Sequence, residues 1–300
     1  MTRYDFCIAW NWEPDADFVK LLNATCQARE LSLLQITPDN LTDMLDALVN
    51  NRLTFQVFFD RASDEDVRFI PLDQWAHDHA IYRINPRERA VRAWNKAAMH
   101  LDLVKAGLHT PHTIVIPSYE EEPDLQPINL SSLGDSFVIK PAHGGSGEGV
   151  VTRASSLSHV LVTRQEYPAD KYLLQAHITP TQIGPRPAWF RVIYCAEKVF
   201  ACWWDPHTHI YLPVTMAEED HYDLTSLRHM SVTIAQVCGL GLFSTEISLA
   251  QEGLWIVVDY VNDQIDLRLQ SKTPDGVPDD IVRAIAERLV GLAVAQGASE

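Results

Sequence analysis

Residues 140–150 read Lys140-Pro141-Ala142-His143-Gly144-Gly145-Ser146-Gly147-Glu148-Gly149-Val150. The apolar run Phe137-Val138-Ile139 leads into the lysine, and Gly149-Val150-Val151-Thr152 follows the glycines, giving strand, glycine loop, strand. Glycines let backbone N–H groups converge on an anion where side chains would block the approach. A lysine closing the first strand adds a charge that reaches phosphate oxygens. The order is the reverse of a Walker loop, in which the lysine follows the glycines and opens a helix. Taken alone, the segment reads equally as a phosphate-covering hairpin and as a flexible surface turn.

Upstream of the loop, strand and helix patterns alternate. Residues 4–9 read as a strand, 15–29 as an amphipathic helix, 33–36 as a strand, 39–48 as a helix and 53–59 as a strand. That order implies parallel strands with helical crossovers, a small doubly wound layer. No GxGxxG follows the first strand, so the layer is not read as a dinucleotide site. One helix is expected over 86–106, stopped by Gly107, and an extended segment over 110–116. Downstream, helices are expected at 155–164, 224–237 and 278–295, and a strand at 172–175. Hairpins are expected at 189–195 with 199–204, and at 243–249 with 254–261.

A chain of 300 residues has room for two domains, and 46% hydrophobic with 21% charged residues is an ordinary soluble balance. No run suits a membrane span or a secretory signal, so a cytoplasmic protein with no membrane partner is expected. Five scattered cysteines without CxxC spacing argue against a disulfide framework and a zinc site, and read as reduced core residues. A net charge of −16 argues against nucleic-acid backbone as a partner, though not against a small nucleotide.

The strand, Lys-Pro, glycine flap and strand resemble the phosphate-covering loop of the ATP-grasp superfamily, in the type of glutathione synthetase and the ribosomal-protein glutamate ligases. Three further segments agree in order. Ala93-Trp94-Asn95-Lys96-Ala97-Ala98, continuing to Gly107-Leu108-His109-Thr110-Pro111, is similar to the family's linker helix. By that match Lys96 meets the α-phosphate, Lys140 the α- and β-phosphates, and Gly144, Gly145, Ser146, Gly147 and Gly149 cover the nucleotide. Tyr172-Leu173-Leu174-Gln175-Ala176-His177-Ile178 resembles the strand and hinge whose backbone meets adenine, implying Gln175, Ala176, His177 and Ile178 as nucleotide-binding positions. The acidic residue often found there is Gln175 here, and no acidic ribose contact is evident at 180–183.

Residues 243–248 and 255–263 resemble the two antiparallel strands that hold magnesium, implying Glu246, Asp259 and Asn262 as ligands. Carboxylates inside apolar strands require a partner, either an oxygen-seeking cation or a basic side chain. The family's pattern is an acidic residue, any residue, then Asn; this chain has Asp259-Tyr260-Val261-Asn262. Strict alternation puts Asp259 on the side of Val261 and Asp263. Either a bulge brings Asp259 and Asn262 together, or Asp263 completes the set; bulges recur beside active sites, and the bulge is the expectation. Trp189-Phe190-Arg191-Val192-Ile193 matches the strand bearing an arginine at the transferred phosphate, so Arg191 and Lys140 are the catalytic candidates, acting by charge stabilisation. Arg268 reads equally as a contact for a substrate carboxylate and as a structural salt bridge. Trp203-Trp204 reads as core, and His207 and His209 as a weak metal signal. The segments 10–13 and 60–63, at the ends of expected parallel strands, are candidate walls of an acceptor pocket.

The resemblance implies an α/β (α+β) chain with a small doubly wound pre-ATP-grasp domain over 1–85 and a two-lobed ATP-grasp domain over 86–300. The latter divides into a linker helix at 86–112, an ATP-binding lobe at 113–180 and a metal-binding lobe at 181–300. It implies a ligase using ATP and Mg²⁺ to join a carboxylate to an amine through an acyl-phosphate, on an amino acid or short peptide. The implied partners are small-molecule carboxylate and amine substrates, and a homodimer is the assembly the family allows. The rival readings are a kinase of a small hydroxyl compound and a non-catalytic nucleotide sensor or scaffold.

Overall fold

The computed structural model describes residues 1–145 and 147–298. Its first layer is a parallel sheet of β1 (Thr2–Trp10), β2 (Leu33–Ile36), β3 (Leu53–Arg61) and β4 (Tyr82–Ile84), in the order β2-β1-β3-β4. Phe6, Cys7, Ile8 and Ala9 are all fully buried because both faces of this sheet are covered. Phe6 and Ile8 pack under α1 (Ala16–Gln27); Cys7 and Ala9 pack under α2 (Leu41–Val49) and α3 (Ile70–Asp78).

The single helix expected over 86–106 is two: α4 (Arg87–Trp94) and α5 (Lys96–Lys105). Asn95 breaks the run with φ −79° and ψ 95°, and its side-chain oxygen accepts the Ala98 N–H at 2.9 Å. Asparagine satisfies a free helix-end donor better than it continues a helix.

A second sheet, antiparallel throughout, holds β5 (Thr113–Ile116), β6 (Phe137–Pro141), β7 (Val151–Ala154) and β8 (Tyr172–Ala176) in the order β5-β8-β6-β7. Its helix α6 (Leu157–Thr163) is capped by Ser156. After a two-rung ribbon, β9 (Gln182–Ile183) with β10 (Arg186–Pro187), comes the third sheet. It contains β11 (Trp189–Cys195), β12 (Lys198–Asp205) and β13 (Ile210–Pro213). Helices α7 (Met216–Tyr222) and α8 (Thr225–Cys238) precede its last strands, β14 (Leu242–Leu249) and β15 (Trp255–Asn262). The order is β13-β12-β11-β14-β15.

Alternation divides the residues of this third sheet. Phe190, Val192, Trp203, Phe243 and Ile247 pack on α8, in one core with Leu227 and Ile234. Ile193, Cys195, Cys202 and Tyr211 pack on the terminal helix α9 (Asp279–Gly297), whose Ile285 and Leu289 also share a core with Phe6 and Ile8 of the parallel sheet. α9 therefore joins the last sheet to the first. All five cysteines are free and buried, and burial pushes Cys195 and Cys202 up to about 12. Among the described residues no helix is long and apolar enough to cross a membrane.

Asn85 fastens the junction between β4 and α4. It sits at φ +53°, its Oδ1 accepts the Gly241 and Leu242 N–H groups at 2.8 and 2.9 Å, and its Nδ2 donates to Asp263 at 2.7 Å and to the Leu242 carbonyl. Asn85→Ala would leave the buried Leu242 N–H and the half-buried Gly241 N–H without their acceptor, at about 1–3 kcal/mol for a fully buried group and less for the other. Asparagine also tolerates the left-handed backbone better than alanine does. A loss of about 3 kcal/mol in urea denaturation is expected; a loss under about 0.5 kcal/mol, the level of an ordinary surface change, would contradict this role.

Candidate active site

The glycine flap is rooted on two lysines. Lys140 lies near the end of β6, and Lys96 is the first residue of α5. The Lys96 N–H donates to the Ala142 carbonyl at 2.7 Å, and its ammonium donates to the Gly144 carbonyl. His143 at the flap root donates its N–H to Asp170 at 2.8 Å. Gly144 (φ +104°) and Gly147 (φ +78°) take the left-handed backbone, and a Cβ on either, or on Gly145, would meet nothing within 4 Å. There is thus open space around Gly144, Gly145 and Gly147. Gly149 is close-packed: a Cβ there would lie 2.6 Å from the Tyr167 ring. Ser146 lies outside the described residues.

Across from the flap, β11, β14 and β15 present charge on one face. Arg191 pairs with Glu246 in register and donates to it at 2.6 Å, and also to the Ser244 hydroxyl at 3.1 Å. The second Glu246 oxygen accepts the Trp189 indole N–H at 2.9 Å. Ser244 faces Asn262 and Glu246 faces Asp259, so β15 carries one residue more than β14 between these rungs. The extra residue cancels the alternation that would separate Asp259 from Asn262. Glu246, Asp259 and Asn262 therefore share a face, while Val257 and Tyr260 turn into the core.

Burial opposes the ionisation of Asp259, but Lys140, Arg191 and Lys96 outweigh it and hold the carboxyl below the usual carboxylate range. Lys96 moves the other way: burial, with Lys140 adding to it, lowers its value against the pull of Asp259. The Lys140 ammonium reaches the Val258 carbonyl at 3.4 Å, tying the second sheet to the third beside Asp259. Three cations thus converge on Asp259 and Glu246, with Asp170 also acting on Lys96, and they form a cluster of positive charge suited to a polyanion. Among the described residues no three His, Cys, Asp or Glu side chains form a cation site. The donor set of two carboxylates and an amide does fit a hard divalent ion that takes its other oxygens from phosphate and water.

No protein-family model matches the sequence, and no curated protein is significantly similar to it. Solved structures match along nearly the whole chain. The RimK domain ATP-grasp protein from Sphaerobacter thermophilus superposes with TM-score 0.65 at 16% identity, over 96% of this chain and 99% of that one. D-alanine–D-alanine ligase from Bacillus anthracis, complexed with ATP, gives 0.65 at 13% identity, over 100% and 98%. The ATP-grasp ligase PsnB, complexed with minimal precursor, Mg and ADP, gives 0.64 at 12%, over 98% of each chain. The chain has the ATP-grasp fold.

A second tie joins the two sheets. Gln175, 2% exposed, donates to the Tyr260 hydroxyl at 2.7 Å and the Thr113 hydroxyl at 3.0 Å, and His100 Nδ1 lies 2.9 Å from the same Tyr260 oxygen. The Gln175 side chain is thereby committed, and the Ala176 N–H goes to the His112 carbonyl at 2.9 Å. His177, which is exposed, and Ile178 follow the end of the ladder, where backbone groups leave the sheet. Arg268 lies between Asp266 and Asp275, at 2.7 and 2.9 Å, and over the Trp12 ring at 5.9 Å; of its two readings, its contacts fit the salt bridge.

Trp203 is core, as its pattern suggests; Trp204 is half-buried, packing against the core beside α9 while also reaching the charged face. Arg191 lies 5.4 Å over the Trp204 ring, and His209 stacks on that ring at 5.5 Å. His209 is thus an aromatic neighbour of Trp204. The Trp204 contact with Arg191, and the tie that Tyr260 and His100 make behind the charged face, are features that pattern reading missed. Alternation from Arg191 through the hairpin carried a signal for Trp204 alone.

Proposed function

We propose that the protein is a ligase that uses ATP and Mg²⁺ to activate a substrate carboxylate as an acyl-phosphate and joins it to an amine, acting in the cytoplasm on an amino acid or short peptide. The observation that carries this reading is the meeting of Lys96, Lys140 and Arg191 with Asp259 and Glu246 beneath an open glycine flap. PsnB with Mg and ADP and D-alanine–D-alanine ligase with ATP have the same fold and support the choice of ligands. Lys96 and Lys140 would bind nucleotide phosphates. Arg191 would hold charge on the transferred phosphoryl group. Asp259, Glu246 and Asn262 would hold Mg²⁺, with Glu246 sharing one oxygen it now gives to Arg191 or Trp189. When bound, the ion neutralises developing negative charge. The chemistry is positioning and charge neutralisation, so no protein nucleophile is required. Flap backbone laid over the phosphates would exclude water from a reactive acyl group.

The test is release of ADP and inorganic phosphate from ATP and Mg²⁺ with pooled amino acids and dipeptides, with Lys140→Ala as control. Equal amounts of ADP and phosphate, dependent on a pool and absent in the variant, are expected. A stable phosphorylated product would establish the kinase reading, and nucleotide binding without any release the sensor reading.

A further inference from the structure

Beside the end of β3 lies a half-buried arginine with no acidic partner among the described residues. Arg87 opens α4, and its Nη1 donates to the carbonyl and hydroxyl of Ser63, both at 2.9 Å. Its guanidinium lies 5.6 Å over the Trp94 ring. Among the described residues no carboxylate is within ion-pair distance of Arg87, and its Nε and Nη2 have no hydrogen-bond partner.

Acids stand near by, and each is engaged elsewhere. Asp60 Oδ1 accepts the Ala62 and Ser63 N–H groups, both at 3.0 Å. Asp263 accepts from Asn85 at 2.7 Å, with the Trp94 indole close but outside hydrogen-bonding geometry. Asp64 is exposed, and the Gln264 amide is 3.5 Å from it. In a chain with 40 acidic and 24 basic residues, these local bonds keep Arg87 unpaired. An aromatic face offsets part of the cost of a partly desolvated guanidinium and fixes its plane.

The place is also informative. Ser63 lies just past β3, at the carboxyl edge of the parallel strands, where open α/β sheets hold ligands. Gln264 donates to the Asp60 carbonyl at 2.9 Å, and it lies two residues beyond Asn262, at the end of β15. The Asp60–Gln264 bond thus ties the sheet edge beside Arg87 to the end of the strand that carries Asp259 and Asn262.

We propose that Arg87 binds a carboxylate of the amine substrate, so that the protein selects an acceptor with a free carboxylate, such as an amino acid or a peptide C-terminus. A guanidinium fork with two free donor positions matches a carboxylate's two oxygens. This assignment rests on the ligase reading.

The experiment uses wild type, Arg87→Ala and Arg87→Lys, each saturated with ADP and Mg²⁺ after its ADP affinity has been measured. The probes are the L-amino acids as free acids and as α-carboxamides, titrated calorimetrically. At least one acid should bind wild type about 10- to 100-fold tighter than its amide, the range for a hydrogen bond to a charged group. That preference should vanish in Arg87→Ala and shrink in Arg87→Lys, with ADP affinity the same in all three. A merely structural role through Ser63 would weaken acid and amide alike. Equal binding of acid and amide, a preference that survives Arg87→Ala, or no probe that separates wild type from Arg87→Ala would each overturn the assignment, while ADP release with a substrate pool is the separate test of the ligase reading. Absence of ADP binding to wild type would overturn that reading, and the assignment with it.

Discussion

Asp259→Asn is expected to lower substrate-dependent ADP release about 1000-fold, the upper range for removing one preorganised electrostatic group at a reacting centre. Lys140, Arg191 and Lys96 all act on this carboxylate, and their pull exceeds the cost of its burial. An amide of the same shape leaves those three cations opposite Glu246 alone. It also removes the larger of the two carboxylate pulls, from Asp259 and Asp170, that raise Lys96 against burial and against Lys140, so Lys96 would hold its proton less firmly. A divalent ion would lose one of its two carboxylates and with it most of its affinity. The loss should fall on turnover and on the Mg²⁺ requirement together. Steady-state ADP release at several Mg²⁺ concentrations measures both. Activity within tenfold of wild type would mean that Asp259 is not at the reacting centre.

The second large effect is on stability. Arg191→Met should destabilise the protein by about 3–5 kcal/mol, the usual cost of leaving one member of a buried ion pair alone. The side chains of Arg191 and Glu246 are 10% and 15% exposed, and they meet at 2.6 Å. Without the guanidinium, Glu246 keeps only the Trp189 N–H as partner, and Ser244 loses its donor. Replacing both charges is much less costly than replacing one. The double variant Arg191→Met with Glu246→Gln should therefore recover most of the loss while remaining inactive. Urea denaturation of the two single variants and the double one gives the coupling directly. A double variant as unstable as the sum of the singles would show that the pair does not stabilise the sheet.

Features resting on local chemistry were legible in the sequence. The Lys140 flap is written in contiguous residues, and so are the parallel strands and helices of residues 2–49. The Asp259–Asn262 interval told of a bulge because period-two alternation and a shared face could not both hold, and the register supplies the extra residue. The break at Asn95 was hidden because the apolar spacing continues across it, so a single asparagine had to outweigh the pattern. β4 was missed because three residues carry too little alternation to register. Other features are long-range and leave no local trace. Gln175 meets Tyr260 across 85 residues, Arg61 meets the Ile265 carbonyl across 204, and α9 covers a sheet that begins at Thr2. Arg268 is held by Asp266 and Asp275, which irregular backbone brings together where no periodicity applies.

The most direct test of the nucleotide assignment is equilibrium binding of ADP to the purified protein, with and without Mg²⁺, repeated on Lys140→Ala. The charged cluster predicts binding that Mg²⁺ strengthens and that the loss of Lys140 weakens by about tenfold or more, the scale of one charged contact. A wild-type protein that binds no ADP, or binds it regardless of both Mg²⁺ and Lys140, would contradict the account.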